Sequence, residues 1–348
     1  MASTFTLDAL QQAARAALHK KATPGAAFAV LVDGQPVISS AAGYARQDQS
    51  APLDPAARFP IYSITKTLIA AVTLQLAEQD RLRLDAPVQA YLPALALPAP
   101  VTLRQLLNHT GGVPDYGGLS AYFDAVRAHP AQPWSAQEFL AATLPAGLAY
   151  PPGQGWGYSN IGYLLLRQVI ETVTGASLRE ALRERIFAPL GLRHTDTAET
   201  LEDMQPLTPG YSQFFSPGEL QDVRSRYHPG WVSHGVVLST APELAHMLDA
   251  ILGGQLLSAE SRAAMLEAVD VPVQHPFFRR PAYGLGVMVD KEPANGLIAG
   301  HGGGGPGYSA GALTLVDTRG RRITSAVLAN SDRDDLALRL AYDLLMQA

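Results

Sequence analysis

"FPIYSITKTLIAAVTLQLAEQ", residues 59–79, has the near-continuous apolar character of a buried helix, yet its first turn carries Ser63 and Lys66. The chain holds four lysines (Lys20, Lys21, Lys66, Lys291) against 22 arginines, so almost every other positive side chain is written as Arg. A lysine inside an apolar helix asks for a chemical reason. Residues three apart on a helix share a face, about 5–6 Å apart at Cβ, so the Lys66 amine can reach the Ser63 hydroxyl. A serine hydroxyl is a weak nucleophile that needs a base beside it, and a lysine desolvated beneath a site loses its proton more easily than one in water. The helix N-terminus also favours the negative charge that develops when such a serine attacks a carbonyl. The bland competitor is an N-cap serine followed by a surface lysine.

Upstream of this helix, AAFAVLVDGQPVISSAAGYA (residues 26–45) gives two β-rich runs around an Asp-Gly turn, a hairpin signal. Downstream, helical patterns dominate to about residue 266: VTLRQLLNHT, SAQEFLAATL, NIGYLLLRQVIETVTG, SLREALRERIF and TAPELAHMLDAILGG. Strand patterns then return in YGLGVMVD, GLIAGHG, SAGALTLVD and RRITSAVLAN, and DDLALRLAYDLLMQA closes the chain as a helix. This order predicts an α/β fold: one sheet subdomain from residues 1–60 and 267–348, flanked by helices, with residues 61–266 inserted as a helical subdomain. A site between the two would make them a single catalytic unit.

Composition narrows the function. A net charge of −5 with dispersed basic residues leaves no footprint for nucleic acid. With no cysteine, disulfides, thiolate metal sites and cysteine nucleophiles are excluded, and the nine scattered histidines form no H-E-x-x-H pair for zinc. Prolines interrupt the most apolar stretch, YLPALALPAP, so no run reaches the ~18 apolar residues of a membrane span. The opening MASTFTLDALQQAARAALHKK reads as a surface helix carrying Asp8 rather than a signal peptide, and a cytoplasmic protein is expected. Oligomeric state is not written in the sequence.

Two further stretches carry candidate chemistry. In PPGQGWGYSNIGYLLLRQ, prolines and glycines force a loop before a long helix, and Tyr158-Ser159-Asn160 sits on the junction. A phenol can exchange a proton with serine or water, and an Asn amide can hold a lysine and a substrate carbonyl together. Equally, Ser159 or Asn160 simply caps the helix while Tyr158 packs. In GLIAGHGGGGPGYSAGALTLVD, His301 and four glycines stand at a strand edge, where missing side chains let a ligand approach backbone N–H groups. A flexible hairpin loop is the plain alternative.

Ser-x-x-Lys, Tyr-x-Asn and His-x-Gly in this order resemble the group that includes class C β-lactamases, D-alanyl-D-alanine carboxypeptidases, related esterases and D-aminopeptidases. The likeness extends to LLNHTGGVPDY, to STAPEL at 239–244 and to GHGGGGPGY. It implies a β-lactamase or penicillin-binding-protein-like fold with an antiparallel sheet and the site in the cleft beside an all-helical lobe. It further implies Ser63 as acylated nucleophile, Lys66 as its base and proton relay, and Tyr158 as the base that activates water for deacylation. Asn160 would bind substrate and Lys66, and the oxyanion hole would use the N–H groups of Ser63 and Gly304. His301, Gly302 and Gly303 would complete the substrate edge, with no cofactor.

One departure shapes the substrate reading. Where β-lactamases of this group carry Lys-Thr-Gly, this chain has His301, largely uncharged at pH 7, which weakens any role requiring a substrate carboxylate. The expectation is therefore a carboxylesterase working through an acyl-enzyme on a small-molecule ester, with D-amino-acid amide or peptide hydrolysis as runner-up. True β-lactamase or carboxypeptidase action ranks lower, and an inactive penicillin-binding-like sensor is the alternative of a different class.

Two motifs are set aside. Gly307-Tyr308-Ser309-Ala310-Gly311 spells the G-x-S-x-G elbow, but ALTLVD after it is strand-like and no histidine follows His301. Gly300, Gly302 and Gly305 spell G-x-G-x-x-G with no following helix to receive a pyrophosphate. His109 is read as a structural hydrogen-bonding residue. The aromatic segments 113–134 and 211–231 are expected to wall the pocket or to form satellite core.

Overall fold

The strand Gly25–Val32 is apolar at every position because both of its faces are covered. Ala26, Phe28 and Val30 point into one core, with Leu10, Ala14 and Leu18 of the helix Leu7–Lys21 and the helix Leu336–Gln347; Ala27, Ala29 and Leu31 point into the other. That alternation is the two-residue period of a strand buried between two helical layers. A computed structural model describes residues 7–293, 296–333 and 336–347.

The sheet has eight antiparallel strands, in the order Gln35–Gly43, Gly25–Val32, Arg322–Ala329, Tyr308–Asp317, Gly296–Gly305, Met288–Asp290, Pro281–Tyr283 and Val269–Asp270. The two ends of the chain meet in its centre, where Ala26 pairs with Ala329 and Val32 with Ile323. Ser309 is the second residue of Tyr308–Asp317 and shares by alternation the face of Leu313, so the chain continues as strand after this serine where a G-x-S-x-G elbow would turn into a helix.

The helix Thr65–Glu78 is buried around its circumference through Leu74, which makes it a central core helix rather than a surface one. Around it pack Asn160–Thr174, Leu178–Leu182 and Ala259–Leu266. The helix Ala241–Gly253 lies within the 61–266 stretch but packs on the inner face of the sheet, against Gly25–Val32, Tyr308–Asp317 and Arg322–Ala329. Its buried Asp249 accepts from Arg322 Nε at 2.7 Å and from Thr324 Oγ1 at 3.1 Å, pinning helix to strand. The short sheet of Phe59–Pro60, Val236–Ser239 and Asp196–Ala198 sets the entry to the Ser63 turn: Ile61 N donates to Val237 O at 2.8 Å.

The aromatic segments form core more than pocket wall. Trp231 is fully buried, Tyr116, Tyr122 and Tyr227 are buried, and Trp134 and Phe139 join them ring against ring. Phe123, Phe214 and Phe215 remain half-exposed at the margin of this cluster. Among the described residues no helix is long and apolar enough to cross a membrane, and no group of three or more His, Asp or Glu side chains is placed to hold a metal ion.

Candidate active site

Ser63 stands in a single 3₁₀ turn, Tyr62–Ile64, immediately before the helix Thr65–Glu78. Tyr62 enters that turn at φ 45°, a left-handed conformation that is costly for a bulky residue and is held here by its surroundings. Its ring is buried and its hydroxyl donates to Pro306 O at 2.8 Å, tying the turn to the hairpin that follows the glycine run.

Lys66 is completely buried. Its Nζ lies 3.1 Å from Ser63 Oγ and 2.8 Å from Asn160 Oδ1, so the first and second motifs meet at one nitrogen. Burial drives the amine well below its ordinary pKa, opposed by the negative charge of Asp115. The rings of Tyr158 and Tyr163, with centroids 4.9 and 5.7 Å from Nζ, also favour the charged form.

Asn160 opens the helix Asn160–Thr174, which Ser159 caps by accepting from Gly162 N at 3.0 Å. Asp115 fixes Asn160 by two bonds: it accepts from the backbone N–H at 2.8 Å and from Nδ2 at 3.1 Å. That second bond assigns Nδ2 as the outward donor and turns Oδ1 toward Lys66. Tyr158, just before the cap, is half-buried beside Ser63; burial raises its phenol well above the usual range while the Ser63 hydrogen bond pulls it down. His109 supports this junction. Its Nδ1 accepts from Ser159 N at 3.1 Å and its ring packs 4.4 Å from that of Tyr158.

His301 lies on the strand Gly296–Gly305 and is buried. Nδ1 donates to Gly302 O at 2.5 Å, which leaves Nε2 to accept from Tyr283 Oη at 2.8 Å. Desolvation, then the Lys66 charge, pushes its pKa down to about 3, so the ring is neutral with both nitrogens occupied. It offers no cation to a substrate and acts as a brace between strands.

The glycine run is explained by crowding at three positions and openness at one. A Cβ on Gly303 would lie 2.2 Å from Ile61 O, one on Gly305 2.5 Å from the Tyr62 ring, and one on Gly302 3.0 Å from Leu338. The strand thus presses directly against the Ser63 turn. Gly304 is exposed, and a Cβ there would meet nothing within 4 Å. Pairing with Met288–Asp290 ends at Gly300, so beyond that point this edge faces the Ser63 turn instead of another strand. An unpaired strand edge presents free N–H groups, as an oxyanion hole requires.

Two contributors carried no signal strong enough to find them in the sequence. Asp115 stands in the quoted LLNHTGGVPDY, but only the fold brings it to Asn160. His234, in the loop WVSH before Val236–Ser239, is buried with its Nε2 and Nδ1 at 3.2 and 3.4 Å from Lys66 Nζ.

The family model described as Beta-lactamase matches residues 10–347. The chain belongs to the β-lactamase family. It is 29% identical over 310 residues to penicillin-binding protein 4* of Bacillus subtilis (strain 168), covering 84% of this chain and 65% of that protein. It is 29% identical over 319 residues to a D-aminopeptidase of Cereibacter sphaeroides, covering 91% of this chain and 59% of that one. The chain thus spans less than two thirds of these relatives' length. A solved D-stereospecific amidohydrolase from Streptomyces sp. superposes with a TM-score of 0.81 at 30% identity, covering 96% of this chain and 98% of that one.

Proposed function

We propose that the protein hydrolyses amides or short peptides of D-amino acids through an acyl-enzyme on Ser63. The observation that carries the hydrolase reading is the buried Lys66 amine, 3.1 Å from Ser63 Oγ and held on its other side by Asn160. The choice of substrate leans on the relatives, named for D-amino-acid chemistry, and moves the weight from the esters expected from sequence to the runner-up. The neutral, fully engaged His301 fits a substrate that brings no carboxylate to that edge.

In this reading Lys66, neutral at rest, takes the Ser63 proton as Oγ attacks the acyl carbon. The oxyanion is met by the N–H groups of Ser63 and Gly304. The proton then passes from Lys66 by way of the Tyr158 phenol to the leaving nitrogen, which departs as amine or ammonia. Water enters the vacated position, gives a proton to Tyr158 as the phenol returns its own to Lys66, and attacks the acyl carbon; the bond from that carbon to Ser63 Oγ then breaks as Lys66 hands its extra proton to Oγ, which releases the acid and restores neutral Lys66 and free Ser63. Tyr158 is thus a proton shuttle that remains protonated at rest, since its raised pKa disfavours a standing phenolate. Asn160 keeps Lys66 in place through Oδ1, and the second N–H of its Nδ2, beside the one given to Asp115, serves the substrate carbonyl.

The test is a panel of D- and L-aminoacyl p-nitroanilides, D-amino-acid amides, p-nitrophenyl esters and a chromogenic cephalosporin, run beside Ser63→Ala. Preference for D-aminoacyl amides over their L-forms supports the proposal. Turnover of esters alone, with amides untouched, returns the reading to a carboxylesterase.

A further inference from the structure

The short sheet that delivers the chain to the Ser63 turn borders a polar cavity built from residues outside the catalytic group. The cavity has a volume of about 470 Å³ and is lined by Arg58, Arg183, Arg193 and His194 with a single carboxylate, Asp196. A space of this size falls in the range of small-molecule sites. The fold assembles it from three stretches: Arg58 directly precedes Phe59–Pro60, Arg193 and His194 lie just ahead of Asp196–Ala198, and Arg183 opens the turn Arg183–Phe187. That turn is of the wide π type, with Ala188 N donating to Arg183 O at 2.8 Å, a departure from the α-helix that is frequent at functional sites.

The one carboxylate has no acceptor capacity left. Asp196 Oδ1 accepts from Arg179 Nε at 3.2 Å and Thr197 N at 2.8 Å, and Oδ2 from Arg179 Nη2 at 2.5 Å and Arg183 Nη2 at 3.3 Å, which fills the roughly four acceptor positions of a carboxylate. Glu243, which holds the backbone of the same loop, is likewise taken up by the N–H groups of Arg193 and His194 and by the Thr195 hydroxyl. Donors, by contrast, are in surplus. Arg58 spends Nε on His194 O at 2.9 Å, and neither its two terminal nitrogens nor the side chains of Arg193 and His194 have a partner among the described residues. A guanidinium cannot shed its proton, so three of them against one spent carboxylate leave a positive cavity.

We propose that this cavity binds a phosphate group, free or as a small monoester, through the guanidinium groups of Arg58, Arg183 and Arg193 with His194 as a further donor. Planar guanidinium forks match phosphate oxygens in pairs, and such charge-assisted bonds are stronger than neutral ones. Phe187 and Leu192 also line the cavity and give an organic group on the phosphate an apolar surface to rest on. A phosphate held this way joins Arg58, at the entry to Phe59–Pro60, to Arg193, just ahead of Asp196–Ala198, and so clamps the two outer strands that flank Val236–Ser239. No lining residue belongs to the Ser63 group, so this ligand binds beside the substrate and not in its place.

The experiment is isothermal titration calorimetry of the whole chain with inorganic phosphate, with phenyl phosphate, and with sodium chloride at matched ionic strength. It compares the wild type with Arg193→Gln, the double variant Arg58→Gln/Arg193→Gln, and Arg319→Gln, which removes an exposed arginine outside the cavity. The wild type and Arg319→Gln should bind phosphate equally, Arg193→Gln about tenfold more weakly, and the double variant not measurably. Saturating phosphate should also raise the wild-type Tm by about 3–5 °C, and sodium chloride should not. Tighter binding of phenyl phosphate than of phosphate supports the site as one for a monoester, and equal binding supports it as one for the free ion. No heat and no Tm shift in the wild type, or equal weakening in Arg193→Gln and Arg319→Gln, overturns the proposal. Should the double variant fail to fold, Arg193→Gln decides alone, because that side chain bonds to nothing else among the described residues.

Discussion

Lys66 Nζ and Ser63 Oγ stand 3.1 Å apart, with the lysine wholly buried and the serine partly open to solvent. The amine is spent on a place where a cation is poorly tolerated, which a surface ion would never require. Lys66→Arg keeps a positive charge but cannot lose its proton at accessible pH. It should therefore be nearly as inactive as Lys66→Ala, below a tenth of wild-type turnover. An Arg variant above that level would show that the lysine serves only as a fixed charge.

The same burial has a signature in stability. In the unfolded chain Lys66 titrates near 10.5, and in the fold well below it, so folding expels a proton between those two limits. Stability should rise with pH across that window, and the contribution is withdrawn as pH falls. One proton corresponds to a slope of about 1.4 kcal/mol per pH unit. Urea unfolding of the wild type and Lys66→Met from pH 7 to 9 should differ in slope by about this amount, the variant being flatter. Parallel curves would mean that Lys66 stays protonated in the fold.

Asp115 pulls against desolvation at Lys66 and grips Asn160 by two bonds. Asp115→Asn keeps the shape and removes the charge. The acid limb of kcat/KM should move to lower pH, because the charged form of Lys66 loses support, while the plateau drops roughly tenfold as Asn160 loosens. A limb moving upward would contradict the assigned electrostatics.

Neighbouring glycines should behave oppositely. Gly303→Ala places a methyl against Ile61 O and displaces the Ser63 turn, an overpacking defect of about 1–3 kcal/mol that should lower both Tm and phosphonate labelling. Gly304→Ala meets open space and should leave Tm unchanged while impairing turnover of bulky substrates. Equal effects on Tm at the two positions would refute this division.

The strand-helix-strand order was legible because strand and helix periods differ and because GAAFAVLV is apolar throughout. Periodicity marked Ala241–Gly253 as a helix but not its partner, since the Asp249–Arg322 contact that docks it on the sheet spans 73 residues. The three site motifs were legible through local spacing. Asp115 and His234 were not: they stand 45 and 168 residues from the groups they touch, with no fixed offset to betray them. The reason for the glycine run was only half legible, since the sequence suggests ligand approach, whereas at Gly303 and Gly305 it is the turn carrying Ser63 that approaches.

The central claim is a covalent acyl-enzyme on Ser63, deacylated with the help of Tyr158. Its most direct measurement is intact-mass spectrometry with peptide mapping of Tyr158→Phe, quenched during turnover of an activated acyl substrate, beside Ser63→Ala. Loss of the phenol should slow water activation more than acylation, so the adduct should accumulate toward one acyl group per chain on the peptide holding Ser63. Ser63→Ala should show no adduct and no turnover. An adduct mapped to Ser309, or hydrolysis persisting in Ser63→Ala, would contradict the account.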